Sequence, residues 1–222
     1  MSANFLRIVM LGAPASGKGT LSKCIVQKYG CVHVSPGDIL RLNMLKQTKL
    51  GETVRSYMEK GLLVPDDLVM QCVLGRILET GRSSWILDGF PRTLPQAKLL
   101  HSSICDAVVV FNLIVPDAII MERVRNRWIH LRSGRIYNKD FNVPKEMWKD
   151  DVTGEDLVQR IDDAPTVVKQ RLHVYRKAMR PVFKFYTSQG IDVVNLEGDA
   201  THKFWPRVER YLAKRMQIMA NS

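Results

Sequence analysis

The run Gly12-Ala13-Pro14-Ala15-Ser16-Gly17-Lys18-Gly19-Thr20 constrains this chain more than any other stretch. Residues 6–11 before it are short, apolar and β-rich, and read as a buried strand. After it, Leu21, Cys24, Ile25 and Lys28 recur at helical spacing, so residues 17–29 read as a helix. A strand, a Gly-x-x-x-x-Gly-Lys turn and a helix start make an anion cradle. Glycines let backbone N–H groups turn inward on phosphate oxygens, and the helix start adds positive potential. Lys18 then sits on the outer phosphates of a nucleoside triphosphate. The hydroxyl usual after the lysine is displaced by Gly19 to Thr20, against the common GTPase and motor-ATPase forms. The guanine motif Asn-Lys-x-Asp is missing too, since Asn138-Lys139-Asp140 has the wrong spacing.

Further strands are expected at 31–34, 85–87, 107–113 and 191–195, that at 85–87 ending at Asp88-Gly89. Residues 37–60 read as helical, with Ile39, Leu40 and Met44 on one face. Pro65-Asp66-Asp67 starts another helix, because proline and acids suit a first turn. A helix is expected over 117–128 and another at the C-terminus. Strands alternating with helices imply an α/β fold with a five-stranded parallel sheet covered on both faces. Residues 129–162 break the rhythm: they are rich in Gly, Asn, Asp and Pro, and read as a small inserted β-type subdomain.

Lysine and arginine outnumber acids 33 to 22, a formal charge of +11. That calls for phosphates, nucleic acid or an acidic membrane surface as partner, or marks a solvated basic face. Only the positions of the charges can choose. Cys24, Cys31, Cys72 and Cys105 form neither a disulfide framework nor a zinc site by spacing, and read as reduced thiols. No run reaches the length of a membrane span. The first residues lead straight into the strand before the loop, so they read as structural, and secretion is not expected.

The loop has companions. Ser35-Pro36-Gly37-Asp38-Ile39-Leu40-Arg41, Gly61-Leu62-Leu63-Val64-Pro65-Asp66 and Leu87-Asp88-Gly89-Phe90-Pro91-Arg92-Thr93-Leu94-Pro95-Gln96 follow in order. Then come the run from Arg127 to Asn138 and Asp150-Asp151-Val152-Thr153-Gly154-Glu155. This set resembles the adenylate kinase family of nucleoside monophosphate kinases over residues 5–215. Within that family, Trp128 before Ile129-His130, and Trp205-Pro206, look most like the mitochondrial GTP:AMP phosphotransferase branch.

The resemblance implies a three-layer P-loop kinase fold. Its core would be 1–34, 65–128 and 163–222, with a helical NMP-binding subdomain at 35–64 and a small β lid at 129–162. It implies that Ala15, Ser16, Gly17, Lys18, Gly19, Thr20, Arg123, Arg127, Ile136, Tyr137 and Thr201 hold the donor. Pro36, Arg41, Leu62, Leu63, Val64, Gly89, Arg92, Gln96, Arg160 and Arg171 would hold AMP. Lys18, Asp88, Arg92, Arg127, Arg160 and Arg171 would carry catalysis, with Asp88 organising nucleotide-bound Mg²⁺. The periodicity places Arg123 and Arg127 on one helix face. For Tyr137, a lone aromatic, packing is the competing role.

Some relatives hold the lid with four cysteines and zinc. Here His130, Ser133, Asp150 and Thr153 occupy the matching places and are able to form a hydrogen-bond network, so no structural metal is expected. Ala15 replaces a glycine usual in the loop, which is costly if its φ is positive. Pro36 replaces a Ser or Thr, and bears on acceptor-base selectivity. Leu131-Arg132 and Val143 replace small or proline residues.

The activity implied is Mg²⁺-dependent phosphoryl transfer from a nucleoside triphosphate, GTP favoured over ATP, to AMP. Another small P-loop kinase is the alternative, and a nucleic-acid binder using the +11 charge ranks last. Nucleotides are the expected partners, without nucleic acid or membrane. The chain is expected to be a monomer of the mitochondrial matrix, or else of the cytoplasm.

Overall fold

The computed structural model describes residues 5–81, 83–103, 108–139 and 142–220. Cys105, Ala107 and Asp140, and residues 1–4, lie outside these. The strands are β1 (Arg7–Gly12), β2 (Val32–Val34), β3 (Trp85–Asp88), β4 (Val108–Ile114), β5 (Arg127–His130), β6 (Arg135–Asn138) and β7 (Val193–Glu197). The helices are α1 (Lys18–Tyr29), α2 (Pro36–Leu45), α3 (Lys49–Glu59), α4 (Asp66–Thr80), α5 (Leu94–Ser103), α6 (Asp117–Arg125), α7 (Pro165–Ser188) and α8 (Thr201–Ala220). The chain divides into two units. Unit 1 is Met1–Pro36, Asp66–Pro116 and Ala178–Ser222, and unit 2 is Gly37–Pro65 and Asp117–Lys177.

Unit 1 is built on a parallel sheet ordered β2-β3-β1-β4-β7. β1 is the middle strand because it is apolar on both faces: Ile8, Val9 and Met10 are wholly buried. Strands covered on both sides read as unbroken apolar runs, and each such side chain contributes about 1.5–3 kcal/mol on burial. The register sets Met10 beside Asp88 of β3 and Gly12 beside Leu113 of β4. The phosphate loop and Asp88 thus emerge together at the carboxyl ends of the strands, where parallel sheets hold ligands. α1 and α8 pack on each other, and His101 of α5 meets Phe185 of α7 edge-on at 5.7 Å.

Unit 2 contains α3, α6, the β5–β6 hairpin, the first part of α7 and most of α2. Thr48 caps α3 by accepting from the Gly51 amide at 3.1 Å. The helix expected over 117–128 ends at Arg125, and Arg127 begins β5. The shared helix face for Arg123 and Arg127 is therefore wrong. Residues 127–130 pair antiparallel with β6, and Ile129 exchanges backbone hydrogen bonds with Val158 at 2.8 and 2.9 Å. These non-local partners satisfy the backbone better than one more helical turn, and local periodicity cannot see them.

Candidate active site

Chemistry-bearing residues gather in two places, one in each unit. In unit 1, Lys18 Nζ donates to the carbonyls of Gly12 and Ala13, both at 2.8 Å. Gly17 stands at the N-cap of α1 in a left-handed conformation, and Ser16 is fully buried. Gly19 faces Asp88 closely: a Cβ there would lie 3.3 Å from Asp88 Oδ2, which would have to give by a few tenths of an ångström. Ala15 has φ +57°, so the substitution for glycine is the costly kind, about 1–2 kcal/mol.

Asp88 Oδ2 lies 3.4 Å from His33 Nε2. A Cβ on Gly89 would stand 3.3 Å from Arg92 Nη2 and 3.5 Å from Lys18 Cε. Lys18, Asp88, Gly89 and Arg92 therefore share one small region. Arg92 is aimed by its own neighbours: Nε donates to Gly89 O at 2.8 Å, and its amide donates to Gln96 Oε1 at 2.7 Å. Gln96 in turn donates to Asp66 Oδ1 at 2.7 Å, and Thr93 to Asp66 Oδ2 at 2.8 Å. In the sequence Asp66 is a first-turn acid and the end of the Gly61–Asp66 run; its hold on Gln96 and Thr93 is visible only in the structure. Pro36 is the first residue of α2, and Thr201 opens α8 half-buried.

In unit 2, four arginines meet three acids. Arg127 forks onto Asp163, with Nε donating at 2.8 Å and Nη2 closing the pair. Arg171 Nη1 donates to the Asp162 carbonyl at 2.8 Å and faces Asp162 Oδ2 at 2.9 Å. Arg41 Nη2 donates to Asp38 Oδ1 at 2.6 Å, and its Nη1 reaches Asp162 at 3.5 Å. Arg160 Nη2 lies 3.6 Å from Asp38, while its buried Nε has no hydrogen-bond partner. Burial, then the positive charges of Arg41 and Arg127, push the Arg160 guanidinium down to about 9. It stays charged at neutral pH, as a cation short of anions.

Asp162 shows the opposite balance. Burial raises it, but Arg171, Arg41, Arg160 and Arg127 together pull it down to about 2. One buried oxygen, Oδ1, has no partner. Asp162 and Asp163 went unrecognised in the sequence because acids before Ala164-Pro165 look like ordinary helix-start residues. The available signal was Arg160 two residues earlier, since buried acids need cations.

Gly61 lets its loop approach α7: at φ +67°, a Cβ would lie 2.9 Å from Arg171 Cγ and from the Val167 carbonyl. The following segment exposes Leu62 and buries Val64, with Leu63 between them. Arg123 is half-buried, and its carbonyl accepts from Asn138 Nδ2 at 3.3 Å.

The lid residues form a network. Asp150, 2% exposed, accepts from Arg135 at 2.7 and 2.5 Å, from Tyr137 Oη at 2.9 Å and from Thr153 Oγ1 at 2.9 Å. Its carboxyl is held well below the usual range, first by Arg135. His130 Nε2 donates to Glu155 Oε2 at 2.6 Å, and Nδ1 accepts from the Ser133 hydroxyl at 2.7 Å. His130, Ser133, Asp150 and Thr153 thus bond as their positions implied, joined by Arg135, Tyr137 and Glu155, which the sequence reading did not include. Tyr137 is buried, with its hydroxyl also accepting from the Asp151 amide at 2.9 Å, while Ile136 lies beside it on β6, opposite Ile129. Among the described residues, no group of three or more His, Cys, Asp or Glu is placed to hold a metal ion.

A parallel α/β sheet with a glycine–lysine loop at its carboxyl edge, and an arginine-rich cluster elsewhere, define a phosphoryl-transfer protein. The adenylate kinase family model matches residues 10–191. A GTP:AMP phosphotransferase, mitochondrial, of Drosophila melanogaster is 48% identical over 97% of this chain and 99% of its own length. An adenylate kinase of Baumannia cicadellinicola subsp. Homalodisca coagulata is 43% identical over 84% of this chain and 88% of its own. One of Hamiltonella defensa subsp. Acyrthosiphon pisum (strain 5AT) is 45% identical, over 82% and 84%. The chain belongs to the adenylate kinase family and is a phosphotransferase of the nucleoside monophosphate kinase class.

Proposed function

We propose that this enzyme transfers the terminal phosphoryl group of GTP to AMP, reversibly and with Mg²⁺, giving GDP and ADP. The observation that carries the reading is Arg160, a buried guanidinium with an unpartnered Nε among three further arginines. Two polyanions repel: unit charges ~4 Å apart cost about 4 kcal/mol at an effective dielectric of 20. A cation cluster that its own acids leave under-compensated lowers that barrier, and phosphoryl transfer asks for little else beyond positioning.

The loop amides of residues 15–20 and Lys18 hold the donor's phosphates, with Arg123, Arg127, Ile136, Tyr137 and Thr201 as further donor residues. Arg41 and Arg92 fork onto the AMP phosphate, while Leu62–Val64, Pro36, Gly89 and Gln96 bear on the acceptor nucleoside. Arg127, Arg160 and Arg171 follow the group as it moves. Asp88 fits the cation, because its carboxylate faces Gly19 across a space a Cβ would fill. Bound there, Mg²⁺ supplies charge neutralisation at the donor phosphates. The 35–64 segment acts as the NMP-binding subdomain and 129–162 as the lid, and both exclude water as competing acceptor.

GTP preference and a mitochondrial location are supported by the name of the Drosophila relative, and the matrix and a monomeric state are in keeping with the resemblance. An ATP:AMP enzyme is the second reading, favoured by the two bacterial relatives' names. The test is ADP formation from AMP with GTP, ATP or ITP in turn. GTP should give the highest kcat/KM; an ATP optimum selects the second reading, and no transfer to AMP from any donor rejects both.

A further inference from the structure

We propose that the outer face of α8 docks on an anionic lipid surface. The starting point is where the +11 lies. α8 holds Lys203, Arg207, Arg210, Lys214 and Arg215 against a single acid, Glu209, and α7 holds six lysines and arginines, of which only Arg171 belongs to the arginine cluster, against none. The arginines of the unit 2 cluster, by contrast, face Asp38, Asp162 and Asp163. The substrate site therefore does not account for most of the excess.

The α8 charges are ordered. Lys203, Arg207, Arg210 and Lys214 follow at spacings of four, three and four, and all are exposed. On a helix that spacing makes one stripe, about 16 Å long. Phe204, Val208 and Leu212, wholly buried, anchor a different side of the helix. Lys203 is paired with Asp199 at 2.7 Å, and Arg207 donates to the Asn195 carbonyl at 2.9 Å. Among the described residues, the side chains of Arg210 and Lys214 make no ion pair or hydrogen bond. Ile218, one turn past Lys214 on the stripe's edge, is 58% exposed.

The chemistry selects lipid. A row of exposed cations is attracted to the negative surface potential of anionic headgroups, and Ile218 offers one apolar contact beside it. Single-stranded nucleic acid would require aromatic platforms, and the stripe has none: Trp205 falls on another side, and Tyr211 donates to Asp192 at 2.5 Å. No membrane partner is expected from the sequence, and no described helix is long and apolar enough to cross a membrane. Peripheral docking requires no span.

The test uses the full chain and flotation with vesicles of phosphatidylcholine, with or without phosphatidylserine, in about 0.1 M salt. Binding should appear only with phosphatidylserine and weaken as salt rises. Each cation is worth about fivefold at such a surface, so R207Q/R210Q/K214Q should lose roughly 100-fold in partitioning, with ADP formation in vesicle-free buffer unchanged. R210Q alone should lose about fivefold and serves if the triple variant does not fold. R180Q/K184Q, on α7, should bind as the native chain does. Absence of binding to anionic vesicles, equal binding to neutral ones, retention by the triple variant, or tighter capture by duplex DNA than by vesicles would each overturn the proposal.

Discussion

The two units hold charge by different means. In unit 1 the proposed grip is main chain: loop amides around a glycine turn, with one lysine resting on the carbonyls of Gly12 and Ala13. In unit 2 it is side chain: Arg41, Arg127, Arg160 and Arg171 set against Asp38, Asp162 and Asp163. A main-chain cradle is bound to one short segment and its dihedrals. A side-chain cluster is assembled from α2, β5, the turn before α7 and α7 itself, so its strength depends on how well its charges cancel. Incomplete cancellation at Arg160 marks the cluster as a receiver of anions, where a full set of pairs would mark a structural brace.

The comparison can be broken most forcefully at Lys18. Lys18→Ala should cut kcat about 10³-fold while donor KM moves far less, because the amides remain; equal loss in both would deny the main-chain cradle its role. Arg160→Ala should lower kcat/KM about 10²-fold, and Arg160→Lys should restore little of it, since an ammonium cannot fork. Full activity in the lysine variant would reduce the cluster to bulk charge.

Asp162 sharpens the contrast through acid stability. Its folded value, about 2, lies below the ordinary aspartate value near 4. Its contribution is therefore present above about pH 4 and lost as pH falls through about 2. Asp162→Asn should remove that dependence, on the order of 2 kcal/mol, in circular-dichroism melts taken across this range. The smallest effect belongs to Ala15→Gly. Relief of the left-handed alanine, less the extra freedom glycine gives the unfolded chain, should raise Tm by about 1–2 °C. A fall in Tm would show that the loop does not strain at that residue.

What could be read without coordinates was what short segments settle alone. The apolar run before Gly12, the glycines and Lys18 dictate strand, turn and helix locally, and the five strands announce a parallel sheet by composition. Glycine placement and backbone sterics act within a few residues, so one dimension suffices. The family pattern located the arginines, but not what they touch.

The tertiary structure decided the rest. It drew Arg127 out of a helix into β5, because Val158 and β6 offered its neighbours better backbone partners. It turned Asp162 and Asp163 from helix-start acids into counter-ions, and made Tyr137 a ligand of Asp150. It also gathered Lys203, Arg207, Arg210 and Lys214 into one exposed row on α8. Burial and charge pairing depend on residues far apart in the chain coming together, and sequence spacing carries no record of that.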